Sequence, residues 1–135
     1  MVIQIIVNYL VGLFAGYILE LGYRSFEAKK LVKPLLVNAQ MYGLSTIGLY
    51  LTYTWQIHLV IKVVLILVLT TGVEFVFGYY YLKVKKIRLW DYSKERFNYK
   101  GIVSLKFSFY WLIIALLYYY FVLPSVILYS DEFIR

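Results

Sequence analysis

Apolar residues fall into four long stretches of the chain, separated by shorter polar ones. A membrane-spanning helix needs about 20 predominantly apolar residues, because an α-helix rises 1.5 Å per residue through a hydrocarbon core of about 30 Å. The stretches that meet this requirement are residues 2–21, 35–53, 63–82 and 105–128. The pattern predicts an all-α integral membrane protein in which one domain, residues 1–135, forms a bundle of four transmembrane helices.

The second stretch is the most polar of the four. A helix of this kind inserts poorly alone, so we expect the other three helices to hold it. Pro34 precedes this helix, at a position where a missing backbone N–H costs little. In the fourth stretch, Pro124 is expected to end or kink the helix. The polar residues of the second stretch are Asn38, Gln40, Ser45, Thr46, Thr52 and Thr54.

Composition agrees with a membrane location and excludes several kinds of chemistry. Hydrophobic residues make up 63% of the chain and charged residues 16%, whereas soluble domains contain roughly 25% charged residues. The chain has no cysteine and one histidine, His58, which excludes disulfides and Cys nucleophiles and disfavours a metal site. No phosphate-binding glycine loop or Ser/His/Asp triad is found, so no catalytic residue, metal or cofactor is predicted.

The formal net charge of +7 is explained better by membrane topology than by nucleic acid. A nucleic-acid-binding protein gathers its cations on one face of a soluble fold, but here they gather in two loops. With four spans, both loops lie on one side, and the positive-inside rule places that side in the cytoplasm and both termini outside. The loop cations are Arg24, Lys29, Lys30, Lys33, Lys83, Lys85, Lys86, Arg88, Lys94, Arg96, Lys100 and Lys106.

Glu20 and Glu74 are the two acidic residues within the predicted spans. A carboxylate in hydrocarbon costs on the order of 3 kcal/mol on insertion scales, so each needs a justification. Glu74 shares a helix face with Thr71 and Gly78, and Glu20 continues a glycine row at i, i+4 spacing. Both glutamates lie toward the ends that meet basic loops, so we expect them to share one polar interior site.

Each glutamate also has a structural interpretation. Glu20 can extend to Arg24 one turn later, and Glu74 can be a buried ion pair or hydrogen-bonded acid that fixes helix packing, with Arg24 or Lys106 as partner. The functional alternative is a ligand, cation or proton site. The loop from Trp90 is rich in turn formers, which predicts either a capped interfacial turn or a lid over the polar interior.

The run WDYSKERFNYKG, residues 90–101, follows the helix that carries Glu74 and Gly78. This arrangement resembles the CmpB family, labelled ABC-transporter type IV, and small animal transmembrane proteins with the same WDYS signature. The segment GYILELGYRSFEAKK, residues 16–30, is similar to the family's first-helix pattern. The family's stretch rich in glycine, proline and cysteine before the second helix is reduced here to Pro34, Asn38, Tyr42 and Gly43. The resemblance points to Glu20, Glu74, Trp90, Asp91, Tyr92, Phe97, Asn98 and Gly101.

These observations favour a transport-type protein that binds a small cationic, polar or lipid substrate in an intramembrane cavity lined by the two glutamates. Its expected partners are the lipid bilayer, a second copy packed through Gly12 and Gly16, and a separate ATPase or other membrane subunit. The alternatives are an enzyme acting on a lipid head group and a non-catalytic partner subunit. The predicted substrate-binding residues are Glu20, Glu74, Arg24, Asn38, Trp90, Asp91, Tyr92 and Asn98.

Overall fold

A computed structural model describes residues 1–134, of which helices form the greater part. A π-helical segment, Tyr118–Val122, joins the last two α-helices without a break. Two short antiparallel strands, β1 (Asn98–Tyr99) and β2 (Val103–Ser104), form a hairpin before the fourth helix. The α-helices are α1 (Val2–Ala28), α2 (Leu36–Thr54), α3 (Leu59–Lys83), α4 (Leu105–Leu117) and α5 (Leu123–Ile134).

Three of the helical stretches are long and apolar enough to cross a membrane. They are Val2–Ala28, Leu59–Lys83 and Leu105–Phe133. The predicted all-α integral membrane class is therefore confirmed. The remaining helix is α2, which has 19 residues and contains the polar positions noted in the sequence.

Two helices extend further than the apolar pattern predicts. Their boundaries lie at polar residues beyond the apolar stretches. Helix α1 continues past residue 21 to Ala28 and stops where Lys29 adopts a left-handed backbone, with φ of 56°. Helix α3 begins at Leu59, ahead of the predicted residue 63, because His58 caps it. The His58 Nδ1 accepts a hydrogen bond from the Val60 N–H at 3.1 Å, which satisfies one of the free amides at the helix start.

The fourth helix does not end at Pro124, the first of the two outcomes expected from sequence. Helical structure runs through this residue to Ile134. Proline lacks the N–H that would continue the α-helical ladder, and its ring clashes with the preceding turn. The wider π-turn just before it accommodates both effects, with the Leu123 N–H donating to the Tyr118 carbonyl.

Helices α1 and α2 are antiparallel neighbours in close contact. A Cβ on Gly12 would lie 2.5 Å from Thr46 Cγ2, and one on Gly16 would overlap the Tyr42 ring. The Thr46 Oγ1 also donates to the Asn8 carbonyl at 2.9 Å. The two glycines predicted to form a dimer face are therefore buried within the chain, where their lack of a side chain brings α2 close.

The apolar core lies at the end of the bundle where α2 connects to α3. Tyr119 of the π-segment extends this core, and its hydroxyl accepts a hydrogen bond from Lys62 Nζ at 3.0 Å. At the opposite end the helices separate and the segment 84–104 covers the space between them. The bundle is thus tightly packed at one end and hollow at the other. The buried core residues are Leu49, Tyr50, Ile66, Ala115, Tyr119 and Leu123.

Replacing Gly16 with Ala tests the close approach of α1 and α2. The added methyl group has no room beside Tyr42, and overpacking of this kind costs about 1–3 kcal/mol. Thermal unfolding in mild detergent measures the loss. Gly22→Ala is the matched control, because nothing lies within 4 Å of a Cβ there. Equal stability of the two variants would contradict the packing described for α1 and α2.

Candidate binding cavity

A cavity of about 910 Å³ occupies the hollow end of the bundle. Helices α1 to α4 form its walls and the segment 84–104 forms its cover. It reaches the surface beside Glu27 and Lys94, which are both exposed. Of the predicted site residues, seven line it: Glu20, Arg24, Asn38, Glu74, Trp90, Asp91 and Tyr92.

Glu74 is buried in the wall contributed by α3, where its side chain is 3% exposed. One carboxylate oxygen, Oε2, accepts hydrogen bonds from the Tyr92 hydroxyl at 3.0 Å and from Trp111 Nε1 at 2.5 Å. The other oxygen, Oε1, has no hydrogen-bond partner among the described residues. Because buried polar atoms are normally paired, this unpaired oxygen distinguishes Glu74 from Glu20.

Glu20 has a different environment, in which its charge is balanced. Its Oε2 lies 2.9 Å from Arg24 Nε, and its Oε1 accepts a hydrogen bond from the Tyr42 hydroxyl at 2.9 Å. Arg24 Nη2 also donates to the Leu89 carbonyl at 3.1 Å, so the arginine joins α1 to the covering segment. The pairing of Glu20 with Arg24, one of the two interpretations from sequence, is therefore present.

Neither cation proposed as a partner for Glu74 occupies that role. Arg24 pairs with Glu20, as described above. Lys106 Nζ lies 3.7 Å from Glu95 Oε1, in the covering segment. The interactions of Glu74 are therefore hydrogen bonds from aromatic side chains, and within residues 1–134 no ion pair neutralises it.

The covering segment is anchored by its aromatic residues. The Trp90 Nε1 donates to the Ile102 carbonyl at 2.6 Å, and both side chains lie against Gly78, where a Cβ would be 2.6 Å from Ile102 Cγ2. The Tyr92 ring stacks on Phe107 with centroids 4.4 Å apart. Burial, followed by the neighbouring Glu74 carboxylate, raises the pKa of Tyr92 above its usual value, so its hydroxyl stays protonated and donates to Glu74.

Asp91 and Asn98 organise the turns of the covering segment. The Asp91 Oδ1 accepts the Ser93 N–H at 2.9 Å, and this hydrogen bond holds the pKa of Asp91 below its usual value. The Asn98 Oδ1 accepts the Gly101 N–H at 2.9 Å, and Gly101 needs a positive φ, 68°. Asp91 lies on the cavity rim, whereas Asn98 lies outside the cavity lining. Asn98 shapes the hairpin and does not face the cavity.

Asn38 of α2 is 2% exposed and lies in the cavity wall. Its Oδ1 has no partner within the described residues. Together with Glu74 Oε1, it presents a second buried oxygen acceptor in this cavity.

Several lining residues were missed by the sequence reasoning, although the helical period contained a signal for them. Tyr42 follows Asn38 by four residues on α2, and Trp111 follows Ser108 by three on α4, so each shares a face with a polar residue. Tyrosine and tryptophan are also common at membrane boundaries, so the helical period alone does not assign these two residues to the cavity. Their hydrogen bonds to Glu20 and Glu74 depend on which helices are neighbours.

Acidic side chains predominate in the cavity lining, but three of them are paired: Glu20 with Arg24, Asp91 with Arg88 and Glu95 with Lys106. Acidic side chains in the lining outnumber basic ones five to two, although the whole chain carries 14 basic and 7 acidic residues. The acidic lining residues are Glu20, Glu27, Glu74, Asp91 and Glu95, and the basic ones are Arg24 and Lys94.

A sequence model of the family described as "Putative ABC-transporter type IV" (ABC_trans_CmpB) matches residues 7–133. The chain belongs to the CmpB family. The match includes α2, α3, α4, most of α1 and α5, and the covering segment, so the cavity of this CmpB-family protein is built entirely from the matched region. Searches among curated proteins and among solved structures found no match. The family and the apolar helices together identify an integral membrane protein of transport type.

Replacing Tyr92 with Phe tests whether the bond to Glu74 holds the covering segment in place. The variant keeps the ring on Phe107 but removes one hydrogen bond to a buried carboxyl group, worth about 1–3 kcal/mol. We expect amides of residues 90–103 to exchange roughly fivefold faster or more, as measured by hydrogen exchange with mass spectrometry. Tyr99→Phe, at an exposed position of the same hairpin, is the control. Unchanged exchange in Tyr92→Phe would show that the bond does not hold the segment.

Proposed function

We propose that this CmpB-family protein binds an amphipathic organic cation in the cavity and moves it across the membrane. The observation that carries the proposal is the buried carboxyl group of Glu74, which no cation pairs within residues 1–134 and whose Oε1 has no hydrogen-bond partner there. In a low-dielectric site, an unpaired carboxylate attracts positive charge more strongly than it would in water.

Glu74 is the anchor for the positive group. Its Oε1 is buried and free of partners among the described residues, while its Oε2 is held by Tyr92 and Trp111. These two bonds fix the orientation of the carboxylate before a ligand arrives, which reduces the cost of binding. Glu20 contributes less attraction because Arg24 already balances it.

The rest of the cavity suits the apolar body of such a ligand. Rings of Tyr23, Tyr42, Tyr92, Phe107 and Trp111 line it, and aromatic faces attract cations in desolvated sites by about 2 kcal/mol. The volume of about 910 Å³ is within the range of pockets that enclose small organic molecules.

The route into the cavity is a lateral opening between α1 and α4. Helix α1 packs on α2 and on α5, but it has little packing against α4, where the main aromatic contact joins Tyr23 and Phe107 with centroids 6.4 Å apart. Ile18 and Leu19 are half exposed on this side and also line the cavity. An amphipathic cation dissolved in the bilayer therefore has access to Glu74 without first crossing water.

The proposal requires a topology with four spans and with both basic loops in the cytoplasm. Helix α2 supports it because it lies antiparallel to α1 along that helix, through Thr46 and Tyr42. Its 19 residues cover about 28 Å, which is close to the thickness of the hydrocarbon core. The segment 84–104, which covers the cavity, then faces the cytoplasm.

Single cysteines test this topology, because the chain contains none of its own. Lys30→Cys and Lys86→Cys are expected to react with a membrane-impermeant thiol reagent only after cells are opened. Gln56→Cys, in the connection between α2 and α3, is expected to react with intact cells. Labelling of Gln56→Cys and Lys30→Cys from the same side would show that α2 does not cross the membrane.

Glu74→Gln tests the cation site. Glutamine keeps an oxygen acceptor for Tyr92 and Trp111 but removes the negative charge, so we expect binding of tetraphenylphosphonium to weaken at least tenfold, or about 1.4 kcal/mol. Calorimetry in nanodiscs of uncharged lipid measures the affinity, with empty nanodiscs as the baseline. Glu132→Gln, an exposed acid of α5, is the matched control and should bind like the parent protein.

Two outcomes would contradict the proposal. Equal affinity of the Glu74→Gln and Glu132→Gln variants would show that Glu74 is not the anchor, and no binding by the parent protein would exclude this class of ligand. In proteoliposomes, the parent protein should also speed tetraphenylphosphonium entry relative to Glu74→Gln. Chemically altered lipid in the same vesicles would instead favour the enzymatic alternative.

A further inference from the structure

One row of residues in α1, which winds slowly around the helix, is polar or glycine along nearly its whole length. Residues at i, i+4 spacing are neighbours on a helix surface, and in α1 this row contains no apolar side chain from its first turn to its sixth. Twenty residues of helix rise about 30 Å, the thickness of the hydrocarbon core. The row consists of Gln4, Asn8, Gly12, Gly16, Glu20 and Arg24.

The cavity accounts for only part of this row. Gly12, Gly16, Glu20 and Arg24 line it, whereas Asn8 and Gln4 lie beyond its inner end. A pocket that is open at one end needs no polar residues beyond its closed end. The side chains of Asn8 and Gln4 therefore require a separate explanation.

Asn8 closes the inner end of the cavity together with two lining residues. Its carbonyl accepts a hydrogen bond from Thr46 Oγ1 at 2.9 Å, and its Oδ1 accepts one from the Tyr118 hydroxyl. Asn8 is 0% exposed, and its Nδ2 has no partner among the described residues. Asn8, Thr46 and Tyr118 are called the inner gate.

One turn further along α1, Gln4 continues the polar line toward the end of the bundle. Its Nε2 donates to Asp131 Oδ1 of α5 at 2.5 Å, and its Oε1 is buried without a partner in the described part of the chain. Polar residues that only join helices pair their polar atoms with each other.

Unpaired buried side-chain atoms occur both in the cavity lining and beyond it. Within residues 1–134 they are Glu74 Oε1 and Asn38 Oδ1 in the lining, and Asn8 Nδ2 and Gln4 Oε1 outside it. Unpaired buried atoms of this kind are typical of a polar path, where passing water or solute completes the hydrogen bonds.

The inner gate also contains a helix segment that can change register. Tyr118 is the first residue of the π-segment, and π-turns are frequent at functional sites. A π-turn holds one residue more than an α-turn. If the π-turn moves along the helix by one residue, the side chains that it passes rotate by roughly 100° about the helix axis. Such a rotation at Tyr118 would take its hydroxyl away from Asn8.

We infer that a path continues from the cavity, past Asn8 and Gln4, to the opposite membrane face. The inner gate closes this second exit. The inference rests on the proposed function, since a carrier needs two exits and a simple binding pocket needs one.

Thiol labelling of Ser45→Cys tests the gate without any substrate. Ser45 lines the cavity, and the chain has no other cysteine. Sealed vesicles are sorted by protease access to the segment 84–104, and an impermeant reagent is applied to the face opposite that segment. We expect Tyr118→Phe, added to Ser45→Cys, to raise the labelling rate from this face at least tenfold.

Two further variants make the result interpretable. Tyr120→Phe changes an exposed tyrosine of the same π-segment and should leave labelling unchanged. Thr46→Val removes the other side-chain bond to Asn8 at similar volume and should open the gate as Tyr118→Phe does, so failure of one variant to fold leaves the other as a test.

The outcomes separate the gate from the cavity. Labelling that remains confined to the face of segment 84–104 in both gate variants overturns the gate and leaves the cation cavity intact. Rapid labelling of the Ser45→Cys single variant from the opposite face also overturns the gate, because the inner gate is then not closed in the parent protein. Absence of labelling from either face in every variant overturns the gate and, in addition, the open cavity on which the proposed function depends.

Discussion

The buried carboxyl group of Glu74 is the constraint on which the rest of the hollow end depends. A carboxylate in an apolar helix is costly unless polar groups meet it, and here those groups come from two other elements, Tyr92 of the covering segment and Trp111 of α4. The same two bonds therefore place the segment over the cavity and hold α4 beside α3. Because both donate to one oxygen, the second oxygen is left facing the interior.

Close packing at the other end of the bundle stabilises the fold and compensates for the contacts that the hollow end lacks. The glycines of α1 let α2 approach closely, and an apolar core that includes Ile66 and Leu123 joins α2, α3, α4 and α5. Helix α1 meets α5 at this end through Gln4 and Asp131. The bundle can then separate toward the covering segment without losing its main contacts, and α1 and α4 have little packing against each other.

The charges of the cavity also distinguish among the functions considered from sequence. An enzyme acting on a lipid head group would need free cations to hold phosphate. Of the two cations in the lining, Arg24 is paired with Glu20, and Lys94 lies at the exposed rim. The buried Glu74, which has no ion pair within the described residues, and the aromatic lining instead favour a positively charged ligand, and the unpaired polar atoms beyond the cavity favour a path over a closed pocket.

The sequence alone determined the membrane class, the approximate helices and the interior position of Glu20 and Glu74, and it offered the pairing of Glu20 with Arg24 as one of two interpretations, because hydropathy and helical period act within one segment. It left the partners of Glu74 undetermined. Lys106 was an equally good candidate until the fold placed it beside Glu95. It also gave the α1 glycines a role between chains that the fold assigned to α2. Such contacts join residues far apart in the chain, so only the tertiary structure, through the order in which helices become neighbours, could decide them.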